Sequence, residues 1–143
     1  MKIQKASNDE EQKNREIDKA VAGYSQHLIS NSKWIRLIKG IVENADDFKK
    51  IQFKKIQNNN IGQLFINEDS TFEFDYWQNG FEGNNSLSGW LEYREIEYLV
   101  FAKIVSSEND IQDLNQIKSI IEKIGQFDIE INDVELKLIC YKI

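Results

Sequence analysis

A chain of 143 residues, 41% hydrophobic and 29% charged, is of one-domain size and can bury a core of its own. Its net charge of −6 at pH 7 argues against a general nucleic-acid binder, because phosphate contacts need clustered Lys and Arg. A basic partner remains open to it.

The one cysteine, Cys140, excludes an internal disulfide framework. No apolar run approaches the roughly 20 residues that span a bilayer, and the N-terminal decapeptide has no apolar signal core. A cytoplasmic protein is therefore expected. Proline is absent and Asn, Ile and Lys are abundant, a bias that correlates with AT-rich bacterial or phage genomes.

Charge is unevenly spread. Residues 1–29 balance five basic against five acidic side chains, and residues 30–56 carry seven against three. Residues 57–108 carry two basic against nine acidic, a net of −7, and residues 109–143 carry four against seven.

In chain order, residues 1–12 are polar and predict a disordered segment, with a single domain over 13–143. Ile17, Val21, Tyr24 and Leu28 recur at helical spacing, and Gly23 weakens that helix. Ser32 is the expected N-cap of a second helix whose stripe is Trp34, Leu37, Ile38, Ile41 and Val42. Gly40 within it suggests close packing or simple tolerance.

The period then changes to two. Strands are expected over Lys50–Ile56, Ile61–Ile66 and Thr71–Trp77. The last would set Phe72, Phe74 and Tyr76 on one face and Glu73, Asp75 and Trp77 on the other. Asn79-Gly80 is a turn signal, and Gly83–Gly89 is flexible by composition. The run Trp90–Ile104 has the strongest strand chemistry in the chain and is expected to be central. Its Arg94, Ile96, Tyr98, Val100, Ala102 and Ile104 face is expected to meet the helices. The opposite face, with Glu95 and Glu97, should be open at its N-terminal half and covered near Leu99 and Phe101.

Ser106–Asp110 is expected to cap a third helix carrying Ile111, Leu114, Ile117, Ile121 and Ile124, with Gly125 as its C-cap glycine. A hairpin closes the chain: Phe127–Ile131, a turn at Asn132-Asp133, and Val134–Tyr141. The whole reads as α+β, an antiparallel sheet of about six strands with amphipathic helices packed mainly on one face.

Catalytic signatures are missing. There is no phosphate-binding Gly loop and no dinucleotide turn. His27 is the only histidine, with no Cys or second His near it in sequence, so zinc is not expected. The same holds for any cofactor. Glu73 with Asp75, and Glu95 with Glu97, form two carboxylate pairs that could do acid–base work or hold Mg²⁺ or Ca²⁺. A solvated sheet face is the plainer account of them. Interleaved with Trp77, Trp90 and Tyr93, these carboxylates also suit a surface for a basic partner.

Asn31-Ser-Lys-Trp34 at a helix start, with Tyr93-Arg-Glu-Ile-Glu-Tyr-Leu99 in a strand, resembles a family of small bacterial proteins of unknown function. That family shows an Asn-Ser/Thr-Lys-Trp helix start and a later aromatic-basic-Glu-Ile-Glu-aromatic strand, often with Trp where this chain has Tyr98. The resemblance spans residues 28–105 and implies no activity or catalytic residue.

By general character the chain is similar to immunity proteins. The expected function is stoichiometric, non-catalytic neutralisation of a cognate bacterial toxin, a basic nuclease domain being the expected class. Glu73, Asp75, Trp77, Glu92, Tyr93, Glu95 and Glu97 form the candidate contact set. The alternative is a phage or bacterial regulator that sequesters a basic host factor or mimics nucleic-acid charge. Neither direct nucleic-acid binding nor a membrane role is expected.

Overall fold

A computed structural model describes the backbone of Lys2–Ile143 and the side chains from Asp9 onward. Helix α1 spans Lys2–Ala22. It therefore runs back through the segment expected to lie disordered outside the domain, which contains neither Gly nor Pro to stop it. Met1 lies outside the described residues. Gly23 ends this helix, so Tyr24 and Leu28 sit beyond it.

Helix α2 covers Asn31–Glu43 and buries Trp34, Leu37, Ile38 and Ile41. Its N-cap is Ser30, two residues before the expected Ser32. The Ser30 hydroxyl accepts the Lys33 N–H at 3.2 Å and meets one of the donors the first turn leaves free. Gly40 packs tightly against the later helix Leu114–Ile124, because a Cβ there would lie 2.2 Å from the Ile124 side chain.

The main sheet is antiparallel and five-stranded. Its strands are β1 (Ile51–Lys55), β2 (Ile61–Leu64), β3 (Ile96–Ala102), β4 (Asp128–Ile131) and β5 (Glu135–Ile139), in the order β2-β1-β3-β5-β4. Helix α3 spans Leu114–Ile124, and α2 and α3 pack on one face of this sheet. Phe53, Leu99, Phe101, Leu136 and Leu138 form one core with Trp34, Leu37, Ile117 and Ile121. The fold is α+β, as the periodicities indicate.

Several elements differ from the sequence expectation. The expected strand Trp90–Ile104 is broken, and its part up to Ala102 is three pieces. Trp90–Glu92 pairs with Gly80–Glu82, Tyr93–Glu95 forms a 3₁₀ turn, and only Ile96–Ala102 is the central strand. Ile104–Ser107 turns away to pair with Asp110–Ile111. Helix α3 consequently starts later than expected, at Leu114, where the Asp113 carboxylate accepts the Asn115 and Gln116 N–H groups. Gly125 ends it with extended rather than left-handed backbone.

The cover expected near Leu99 and Phe101 is present, but the Tyr98, Val100 and Ala102 face does not meet the helices. Leu99 and Phe101 are fully buried against the helices, while Tyr98, Val100 and Ala102 are half-buried on the open face. The register slips at Glu97: Lys54 lies opposite Tyr98, but Lys55 lies opposite Ile96. This bulge returns Ile96 to the core side and breaks the strict alternation.

The C-terminal hairpin forms as expected. The Asn132 side chain accepts the N–H groups of Val134 and Glu135 across its turn.

Candidate protein-interaction surface

The seven residues picked out by sequence fall into two groups. Tyr93 is a core residue. Its ring stacks on Trp34 with centroids 5.4 Å apart, meets Phe81 edge-on, and its hydroxyl donates to the Trp77 carbonyl. Burial pushes the phenol above its ordinary range.

Glu95 is fully buried. One carboxylate oxygen accepts from the Gln57 side chain at 2.8 Å and lies 3.6 Å from the Lys55 ammonium and 3.5 Å from that of Lys13. The other accepts the Glu92 N–H at 2.8 Å. Glu95 thus closes the 3₁₀ turn, joins it to β1 and clamps α1. Neither Tyr93 nor Glu95 offers surface to a partner.

Glu92 pairs with Arg94 at 3.4 Å, and Arg94 reaches Asp18 of α1 at 2.6 Å. Glu97 takes the Lys54 ammonium at 2.9 Å and the Tyr24 hydroxyl at 3.0 Å. Burial, and then this bond to Glu97, raise the Tyr24 phenol. The carboxylates at 92, 95 and 97 are therefore each balanced by cations of the chain itself.

The remaining three, Glu73, Asp75 and Trp77, belong together. Thr71–Trp77 is a closed loop instead of the expected strand. The Asp75 N–H donates to the Thr71 carbonyl at 2.9 Å, and the Asp75 carboxylate accepts the Thr71 N–H at 2.8 Å. The Glu73 N–H donates to the Tyr76 carbonyl at 2.8 Å, with Glu73 held at φ 68°. That left-handed backbone is uncommon for a residue with a Cβ. It explains why side chains that alternate in sequence do not alternate in space. Tyr76 alone turns inward, while Phe72 and Phe74 stay exposed.

This loop is fastened to the Gly80–Glu82/Trp90–Glu92 hairpin. Trp77 N–H donates to the Gly80 carbonyl at 2.7 Å and Glu82 N–H to the Asp75 carbonyl at 3.0 Å. Gly80 is required here, since a Cβ would lie 2.5 Å from the Leu91 carbonyl oxygen and 2.9 Å from the Trp90 ring. The Gly83–Gly89 segment is likewise pinned. The Asn85 amide donates to the carbonyls of Gly83 and Gly89, and Asn85 bridges to Leu64 of β2.

The lobe has a consistent chemistry. From Ile56 to Tyr93 the chain holds no Lys, Arg or His, yet six carboxylates: Glu68, Asp69, Glu73, Asp75, Glu82 and Glu92. Over the same stretch Phe65, Phe72, Phe74, Trp77, Leu87 and Trp90 are all at least 36% exposed, with Phe74 at 75%. The sequence signal for this was the combination of large aromatics with Asn, Gly and Ser and a total lack of basic residues. The strand-like alternation of Thr71–Trp77 masked it.

A depression of about 460 Å³ opens on the uncovered sheet face beside Tyr24, Glu97, Tyr98, Lys137 and Tyr141. Its charges are largely paired internally. Lys54 holds Glu97, Lys142 holds Asp128, and the Lys137 ammonium lies 4.7 Å from the centre of the Tyr98 ring. His27 stacks on Tyr141 nearby, with centroids 4.6 Å apart, and burial lowers its pKa. Cys140 is buried, which raises its thiol pKa.

Among the described residues no three His, Cys, Asp or Glu side chains converge where they could share a metal ion. No described helix is long and apolar enough to cross a membrane. No family model, curated protein or solved structure matches the chain.

Proposed function

We propose that this chain is a stoichiometric binding protein that docks the lobe of residues 65–90 onto a basic protein. Its best-supported role is an immunity-type inhibitor acting in the cytoplasm against a cognate bacterial toxin, with a nuclease as the expected toxin class. One observation carries the reading: a hydrogen-bonded lobe without a single basic side chain displays Phe72, Phe74, Trp77 and Trp90 among carboxylates that form no ion pair with the described residues. Exposed aromatics supply buried contact area, and unpaired like charges supply steering and selectivity for the opposite sign.

Exposed aromatics also favour protein occlusion over simple mimicry of nucleic-acid charge, which needs carboxylates alone. The contact set within this reading is Glu73, Asp75 and Trp77, extended by Phe72, Phe74 and Trp90.

Coexpression tests it. The product of the gene adjacent to this one is expected to arrest growth alone and to be tolerated when this chain is present. A neighbour that is harmless alone, or that kills equally in its presence, removes the reading.

A further inference from the structure

We propose that Phe74 is the anchor of the interface, a side chain presented by a pre-formed loop to an apolar socket rimmed by Lys or Arg on the partner. This deepens the binding reading above and rests on it.

Three observations support it. First, Phe74 is the most exposed aromatic of the lobe at 75%, while the residues on either side of it are held. Glu73 is fixed by its N–H to the Tyr76 carbonyl, and Asp75 is fixed to Thr71 through both backbone and side chain. Little backbone freedom is left to lose on binding, and low ordering cost is what makes a rigid aromatic a strong anchor.

Second, the loop is kept rigid against a conformational cost. Glu73 has φ 68°, where residues with a Cβ are disfavoured. Tyr76 is buried, its ring meeting Phe72 edge-on, and Tyr93 secures the loop from below by donating to the Trp77 carbonyl. The anchor thus stands on the same stack that joins Trp34 to the core.

Third, the charge around the tip has one sign. Glu73 and Asp75 flank Phe74, and Glu68, Asp69 and Glu82 lie within the same stretch, where no cation occurs. A second copy of this chain meeting it through the same lobe would bring carboxylates against carboxylates. An uncharged apolar surface would leave them desolvated and unpaired, which is costly. A socket with a cationic rim satisfies both the ring and the acids.

The test uses the full chain and the purified product of the adjacent gene, with affinity and rates followed by surface plasmon resonance. Phe74→Ala is expected to weaken binding about thirtyfold or more, the scale of an interface hot spot, while leaving the thermal midpoint unchanged. Glu73→Gln is expected to slow association several-fold and to flatten its salt dependence. Val134→Ala removes another exposed apolar side chain, on the distant β4–β5 turn, and is expected to change nothing. If wild type and Phe74→Ala bind equally, the anchor assignment is overturned and the binding reading stands. If wild type does not bind at all, both fall.

Discussion

Trp34 and Tyr93 stack with ring centroids 5.4 Å apart and planes inclined by 16°. The first opens α2 and the second begins the 3₁₀ turn that breaks the long aromatic run. Both rings are almost fully buried. Through its hydroxyl Tyr93 also holds Trp77, so the stack ties the helical layer to the lobe that carries the exposed aromatics.

Replacing Tyr93 by Phe keeps the stack and deletes the hydrogen bond to Trp77, leaving that carbonyl without this donor. A loss of about 1 kcal/mol in urea unfolding is expected. Trp34→Ala, which leaves a cavity under the same ring, is expected to cost about 3–5 kcal/mol. Equal losses for the two variants would show that the stack does not organise the core.

Glu95→Ala leaves Lys55 and Gln57 facing an empty buried site and unlatches α1 from the 3₁₀ turn. The lysines around Glu95 are partly exposed, so the cost is set mainly by its lost hydrogen bonds, about 1.5–3 kcal/mol for bonds to a charged group. The expected result is a large drop in stability, together with faster amide exchange in α1 near Lys13 and Asn14. Glu92→Ala, at the half-exposed pair with Arg94, is expected to cost no more than about 1 kcal/mol. Comparable effects from the two would refute the clamp assigned to Glu95.

Alkaline pH probes the buried phenols. Burial raises the pKa of Tyr93, and burial raises Tyr141, whose hydroxyl donates to the Arg94 carbonyl at 2.7 Å. In the unfolded chain tyrosines ionise near pH 10, so above that pH the unfolded state holds fewer protons than the native one. Stability from these groups is therefore complete below about pH 10 and declines as pH rises past it. Urea midpoints measured from pH 8 to 11 should fall above pH 10, and Tyr141→Phe should flatten that fall. A flat profile in wild type would contradict the burial assigned to these rings.

Gly62→Ala is expected to destabilise β2, because its Cβ would lie 2.5 Å from the Phe53 ring and that ring is locked in the core. Overpacking of this kind costs roughly 1–3 kcal/mol. Gly83 and Gly89 have open space instead but positive φ, so Ala there acts through backbone strain. Chemical denaturation of the three single variants checks the set, and a neutral Gly62→Ala would show that β2 sits farther from Phe53.

Periodicity made the helical stripes of α2 and α3 legible, because each buries one face along its whole length. The C-terminal hairpin was legible from the turn chemistry of Asn132. What escaped depends on partners far away in sequence. Glu95 looks like a surface charge until Lys13, Lys55 and Gln57 are brought to it. The core side of β3 could not be chosen from its own residues, since both faces are apolar. It is chosen by Phe53, Leu136 and Leu138 on the neighbouring strands, and the bulge at Glu97 then shifts Ile96. Thr71–Trp77 alternates like a strand, but its short-range hydrogen bonds and the left-handed Glu73 win over the pattern. Of the candidate contacts, Glu73, Asp75 and Trp77 were chosen by their residue types, whereas Phe74 was read as sharing a strand face with Phe72 and Tyr76, a face that the closed loop does not form.

The most direct measurement is a calorimetric titration of the full chain with the purified product of the adjacent gene, repeated from 50 mM to 500 mM NaCl. The account predicts one-to-one binding that weakens steadily with salt, as fits acids that meet a cationic surface, and that is sharply reduced by Phe74→Ala. Absence of binding, or binding indifferent to both salt and Phe74, would contradict it.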